Sequence, residues 1–160
     1  MPTRTTVRKA KRALRRGKRP TTAAGEFVRE EIEHVRRGKH GARSTRQAIA
    51  IGLSKARRAG VPVRPPRKGE ASEGSRRSAE RDYEVGQGKR KPQAPSRKRS
   101  RAVRKALERE SRTTASTGAL SRHAKRAATR RAATQRAATR RDATRRDATR
   151  RGGNRSRRPR

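Results

Sequence analysis

Two stretches of this chain place apolar residues where a helix would gather them on one side. In TAAGEFVREEIEHVRRG (22–38), Ala24, Val28, Ile32 and Val35 fall within roughly 80° of one another on a helical wheel, with Phe27 at the flank. Glutamates come first and Arg36 and Arg37 last, the order the helix dipole favours, and Gly38 is a stop. In GKHGARSTRQAIAIGLSKARRAGVP (38–62), Ala48, Ile49, Gly52, Leu53, Ala56 and Ala59 share a face about 140° wide. Ser44 with Gln47 three residues on makes a capping box, and Gly60 followed by Pro62 closes the element. The two patterns predict a helix–loop–helix module over residues 23–61, acidic in its first helix and basic in its second. Modules below about 40 residues are usually marginal alone, so a weak homodimer through this hairpin, or ordering on a ligand, is expected.

Elsewhere the patterning is thin. Residues 1–22 read as a basic arm, in which Val7, Ala10, Ala13 and Leu14 have the spacing of a transient helix. Residues 62–99 read as a Pro/Gly/charged linker with room for a short helix near 76–84. Ala102, Val103, Ala106 and Leu107 give residues 100–111 the narrow face of another short helix. Residues 119–151 hold a five-residue unit, basic-Arg-Ala/Asp-Ala-Thr, and residues 152–160 read as a disordered basic end.

Composition deepens this picture. Only 26% of the 160 residues are apolar, 40% are charged, and the aromatics are one Phe and one Tyr. Large side chains dominate core burial, and ordering each residue costs roughly 1–2 kcal/mol of backbone entropy. The expected fold is therefore mostly disordered with short α-helices and no sheet. It has the N-terminal helix–loop–helix and an Arg/Ala tail able to form a long C-terminal helix.

Charge decides the class of partner. Fifty-one Lys+Arg against 13 Asp+Glu leave a formal +38, and 40 of the 51 are Arg. The planar guanidinium matches phosphate, so a polyanion is implied, with duplex DNA favoured over RNA. The pentad turns about 140° per copy on a helix, so its arginines point in every direction and it has no apolar stripe to dock. Its candidate phosphate contacts are Arg126, Arg130, Arg131, Arg136, Arg140, Arg141, Arg145 and Arg146. Lys39, His40, Arg43, Ser44 and Arg46 surround the predicted start of the second helix, where free N–H groups and the dipole favour an anion, and Arg57 and Arg58 lie at its end. RGKRP (16–20) resembles the core of an AT-hook, interrupted by Lys18, which makes Arg16 and Arg19 candidates for a minor-groove arm.

Other chemistry is not expected. No nucleophile, base and orienter can be assembled, so the chain reads as a non-enzyme without cofactor or small-molecule substrate. There is no cysteine, and His34, His40 and His123 lack metal-ligand spacing, so no metal site is expected. The longest apolar run, 48–53, is too short to span a membrane. The loop lacks the G-K-[ST] ending of a phosphate-binding P-loop and is too long for a helix-turn-helix.

Residues 46–56, RQAIAIGLSKA, behind a Gly/Lys-rich loop, resemble a bacterial family labelled only as a domain of unknown function. That resemblance implies a bacterial cytoplasmic protein and supplies no activity. The tail is similar in style to bacterial histone-H1-like proteins. The expected function is non-sequence-specific duplex DNA binding, a nucleoid-associated or histone-like compaction. The alternatives are an RNA- or ribosome-associated basic protein, or an adaptor whose basic arms only localise it.

Overall fold

A computed structural model describes residues 2–94 and 96–155, with side chains described as far as Thr144. Among the described residues there are six α-helices and no strand, and the chain is 70% helical. The expectation of a mostly disordered chain is therefore corrected. Two compact units, Met1–Leu120 and Ser121–Arg160, divide it.

In the first unit, α1 (Arg4–Arg15), α2 (Pro20–Arg36), α3 (Thr45–Arg58) and α4 (Glu73–Gly86) follow one another, then α5 (Arg97–Glu108) and a 3-10 turn (Thr113–Ala115). The first four helices stop by one device. Each ends at a glycine with positive φ: Gly17 at 71°, Gly38 at 73°, Gly60 at 87° and Gly88 at 73°. The glycine N–H bonds to one carbonyl of the last turn and the next N–H to the carbonyl before it. Examples are Gly17 N to Leu14 O (2.9 Å) with Lys18 N to Ala13 O (3.1 Å), and Gly60 N to Arg57 O (3.0 Å) with Val61 N to Ala56 O (3.1 Å). This Schellman pairing needs a left-handed residue, which glycine adopts without a Cβ penalty. N-termini are closed by hydroxyls: Thr3 Oγ1 accepts from Thr6 N, Ser44 Oγ from Gln47 N and Ser72 Oγ from Ser75 N.

The core is built from small residues. Ala10, Ala23, Ala24, Phe27, Ala56, Val61 and Val63 form one buried cluster, with Val7, Ala13, Leu14, Leu53 and Ala59 packed against it. Residues 1–22 are thus not an arm: α1 packs on α2 through Ala10, while its cations stay in solvent. Alanine faces let helices approach closely, so a core forms with a single aromatic residue in it. Phe27 is wholly buried at its centre and not at a flank. At the α2–α3 crossing, a Cβ on Gly52 would lie 2.7 Å from Val28 Cα, so only glycine permits this approach.

A second cluster joins Val35, Ala42, Ala48 and Ala115, with Ile32 packed against it. Residues beyond the hairpin cover it: Ala115 is wholly buried there, Arg36 Nε donates to Ala115 O (2.8 Å) and Thr45 Oγ1 to Thr114 O (2.6 Å). The hairpin is therefore not a module standing alone, since its apolar faces are covered from within the chain. Within residues 62–99, the short helix expected near 76–84 is the 14-residue α4, longer than expected and packed on α3 rather than lying in a free linker. Asp82 accepts there from Ser54 Oγ (2.5 Å) and Arg58 Nε (2.6 Å), and Gly86 sits against the Arg57 carbonyl.

α6 (Thr117–Arg155, 39 residues) runs through the Arg/Ala segment. Alanine and arginine are good helix formers, and this local preference prevails over arginine repulsion. The expected disordered end, 152–160, is helical to Arg155, and residues 156–160 lie outside the described residues.

Candidate nucleic-acid interface

In the second unit, Arg126, Arg130, Arg131, Arg136, Arg140 and Arg141 are all exposed. Arg145 and Arg146 lie outside the residues whose side chains are described. The pentad supplies a second regularity. Thr129, Thr134, Thr139 and Thr144 each donate their hydroxyl to the carbonyl four residues back, on Lys125, Arg130, Gln135 and Arg140, at 2.9–3.1 Å. Such a hydroxyl folds back on its own helix. Arg126 Nε also turns back, to Arg122 O (3.4 Å), and the exposed guanidinium forks are distributed around the axis by the five-residue period.

The loop before α3 is organised differently from a free anion site. Gly41 N donates to Leu107 O (2.7 Å), Ala42 N to Ser111 O (3.1 Å), Arg43 N to Gln47 Oε1 (2.7 Å) and Gln47 N to Ser44 Oγ (3.2 Å). Those N–H groups are committed within the chain, and Ser44 is the helix cap. Lys39, Arg43 and Arg46 remain exposed beside it. Gly41 is pressed so tightly against the end of α5 that a Cβ would fall 1.8 Å from Glu110 O. This explains the second glycine of the loop.

Two candidates at the end of α3 separate. Arg57 is only 6% exposed, and its guanidinium donates to Val63 O (3.0 Å) and Arg64 O (3.3 Å). Burial lowers its pKa, partly opposed by Asp82. It ties the 61–64 segment to α3 and is withdrawn as a phosphate contact. Arg58 is exposed and pairs with Asp82. Arg16 and Arg19 are exposed too, but RGKRP is the Schellman turn between α1 and α2. Its backbone is folded, not the extended strand that a minor-groove hook requires, and the minor-groove arm is withdrawn.

His40 is not at the surface of the loop. It turns inward to Glu31, whose side chain is 1% exposed, with His40 Nε2 3.3 Å from Glu31 Oε1. Lys55 Nζ donates to Glu31 Oε2, and His34 Nδ1 lies 3.8 Å from the same oxygen. His34 and His40 meet edge to face at 6.3 Å between ring centroids. Burial holds the His34 pKa below its ordinary value, helped by the Lys39 and Lys55 charges and opposed by Glu30 and Glu31. In the sequence these two histidines show no metal-ligand spacing. His34 lies one turn beyond Glu31 on α2, and a loop closed by Gly38 and Gly41 returns His40 to the same place. The i,i+3 spacing of Glu31 and His34 was the available signal; the return of the loop was not readable.

Comparison with family models, with curated proteins and with solved structures finds no match to this chain. Among the described residues, no helix is long and apolar enough to cross a membrane.

Proposed function

We propose that this protein binds duplex DNA with little sequence preference, as a histone-like, nucleoid-associated protein, and that it is not an enzyme. The observation that carries this reading is the helical pentad segment, with its arginines exposed and its threonine hydroxyls turned back onto the backbone. Each guanidinium can take a phosphate bidentately, and each contact releases condensed counterions, a gain that does not depend on base sequence. Lys39, Arg43, Arg46 and Arg58 on the first unit add further cations. With one Phe and one Tyr in the chain, no aromatic platform for stacking single-stranded bases can be built, which favours a duplex backbone over unpaired RNA. The bacterial cytoplasm is part of this proposal and rests on the resemblance at residues 46–56 alone.

A salt-titrated competition between random-sequence duplex DNA and structured RNA tests the proposal on the full chain. If ~10 phosphates are contacted, log K falls against log salt with a slope near −9, and duplex DNA competes better than RNA. Preference for RNA moves the function to an RNA-associated protein. A slope near zero on both overturns phosphate coating altogether.

A further inference from the structure

We propose that Glu31, His34 and His40 form a binding site for one divalent transition-metal ion of the Zn2+ class. One donor atom from each residue lies within 4.8 Å of the others. His40 Nδ1 is 2.9 Å from the Gly41 carbonyl oxygen, so in the neutral ring it carries the proton and donates. This leaves a lone pair on Nε2. That lone pair faces Glu31 Oε1 at 3.3 Å, and Oε1 receives no hydrogen bond although its side chain is buried. Two acceptors facing each other in a buried setting repel unless a proton or a metal cation sits between them, and a metal ion is the occupant proposed.

The dimensions fit. A tetrahedral ion ~2.1 Å from each donor holds the donors roughly 3.4 Å apart. The His40–Glu31 pair already has that separation at 3.3 Å, and the His34 donor, within 4.8 Å of the other two, reaches the ion by a rotation of its ring. One outer partner is in place: Gly41 O orients His40. Glu30 Oε1, which accepts from Thr3 N (2.9 Å), stands 3.9 Å from His34 Nε2, a carboxylate near the second imidazole. Lys55 occupies Glu31 Oε2 and directs Oε1 to the ion. Glu26, Glu30, Glu31 and Glu33 concentrate four of the chain's 13 carboxylates on α2, the one helix of the hairpin where a dication meets several negative charges. Two imidazoles and a carboxylate suit Zn2+, Co2+ or Ni2+ over Mg2+ or Ca2+, which prefer all-oxygen shells. Three protein donors leave a fourth position for water.

The test uses the full chain, stripped with a chelator and free of nucleic acid. Zn2+ is titrated in competition with a chromophoric chelator, and Co2+ is titrated while visible absorption is followed. The expected result is saturation at one equivalent, with the intense Co2+ bands of a four-coordinate site. His34→Ala and His40→Ala each weaken Zn2+ binding at least ~10-fold, while His123→Ala leaves it unchanged. Because α2 variants can lose structure, the imidazole resonances of the unaltered protein give a second reading. Those of His34 and His40 shift on adding one equivalent of Zn2+, and those of His123 do not. Failure to bind one equivalent, or equal perturbation of all three histidines, overturns the site.

Discussion

Arg57 and Arg43 look alike in the sequence, each a cation near one end of α3, and the structure gives them opposite work. Arg57 fills two backbone carbonyls from a buried position, whereas Arg43 is exposed. Arg57→Met leaves those carbonyls without their charged donor and should cost about 2 kcal/mol of stability, with DNA affinity unchanged. Arg43→Gln should reduce the salt slope by about 1 and leave denaturant unfolding unaltered. Both are read from urea melts beside a salt titration, and the reverse assignment would sink this division. A titration checks the same logic on α4. Arg76 Nη2 donates to Glu73 Oε1 at 2.6 Å, and that hydrogen bond, with the charges of Arg76 and Arg77, lowers the Glu73 pKa from 4.5 to about 2. The contribution of this pair is present above pH 4.5 and is lost as pH falls through about 2. Both groups face solvent, so the effect on folding is screened, and the carboxyl carbon chemical shift is the observable. Arg76→Gln should return the midpoint towards 4.5.

Glycines separate the elements' needs. Gly25 in α2 has nothing within 4 Å of an added Cβ, whereas Gly52 in α3 meets Val28 Cα at 2.7 Å. Gly25→Ala should stabilise the protein by roughly 0.5–1 kcal/mol through helix propensity. Gly52→Ala forces the α2–α3 pair apart and should cost about 1–3 kcal/mol. Thermal melts of the two variants moving in the same direction would contradict the described crossing. This pair also shows what could be read in advance. The stripes of α2 and α3, the Ser44 cap and the Gly60 stop were legible because they are local. Val7, Ala10, Ala13 and Leu14 also had helical spacing, yet the weight of charge made α1 look like an arm. The error lay in requiring large side chains for a core. Ala10, Ala23, Ala24 and Ala56 bury their faces by bringing backbones together, and composition alone does not reveal that. The length of α4 was missed for a related reason. Its anchor on α3 is the polar Asp82 and the close contact at Gly86, which produce no hydrophobic period.

Across the whole molecule, the two units divide the work. The first folds around alanines and holds Glu31, His34, His40 and Lys55 together. The second repeats one cationic pentad with no apolar face to bury. That the pentad is cationic and faceless was readable from its period; that its threonines bond backwards was not. The central claim is that exposed pentad arginines coat duplex phosphates. It is tested most directly by replacing Arg126, Arg130, Arg131, Arg136, Arg140 and Arg141 with Gln in the full chain, which preserves helix propensity. The measurement is the salt slope of duplex DNA binding for this variant against the unaltered protein. If all six contact phosphate, the slope becomes shallower by about 5 and affinity at low salt falls, while circular dichroism is unchanged. An unaltered slope with the helix intact would show that the pentad does not touch the duplex, and would contradict the account.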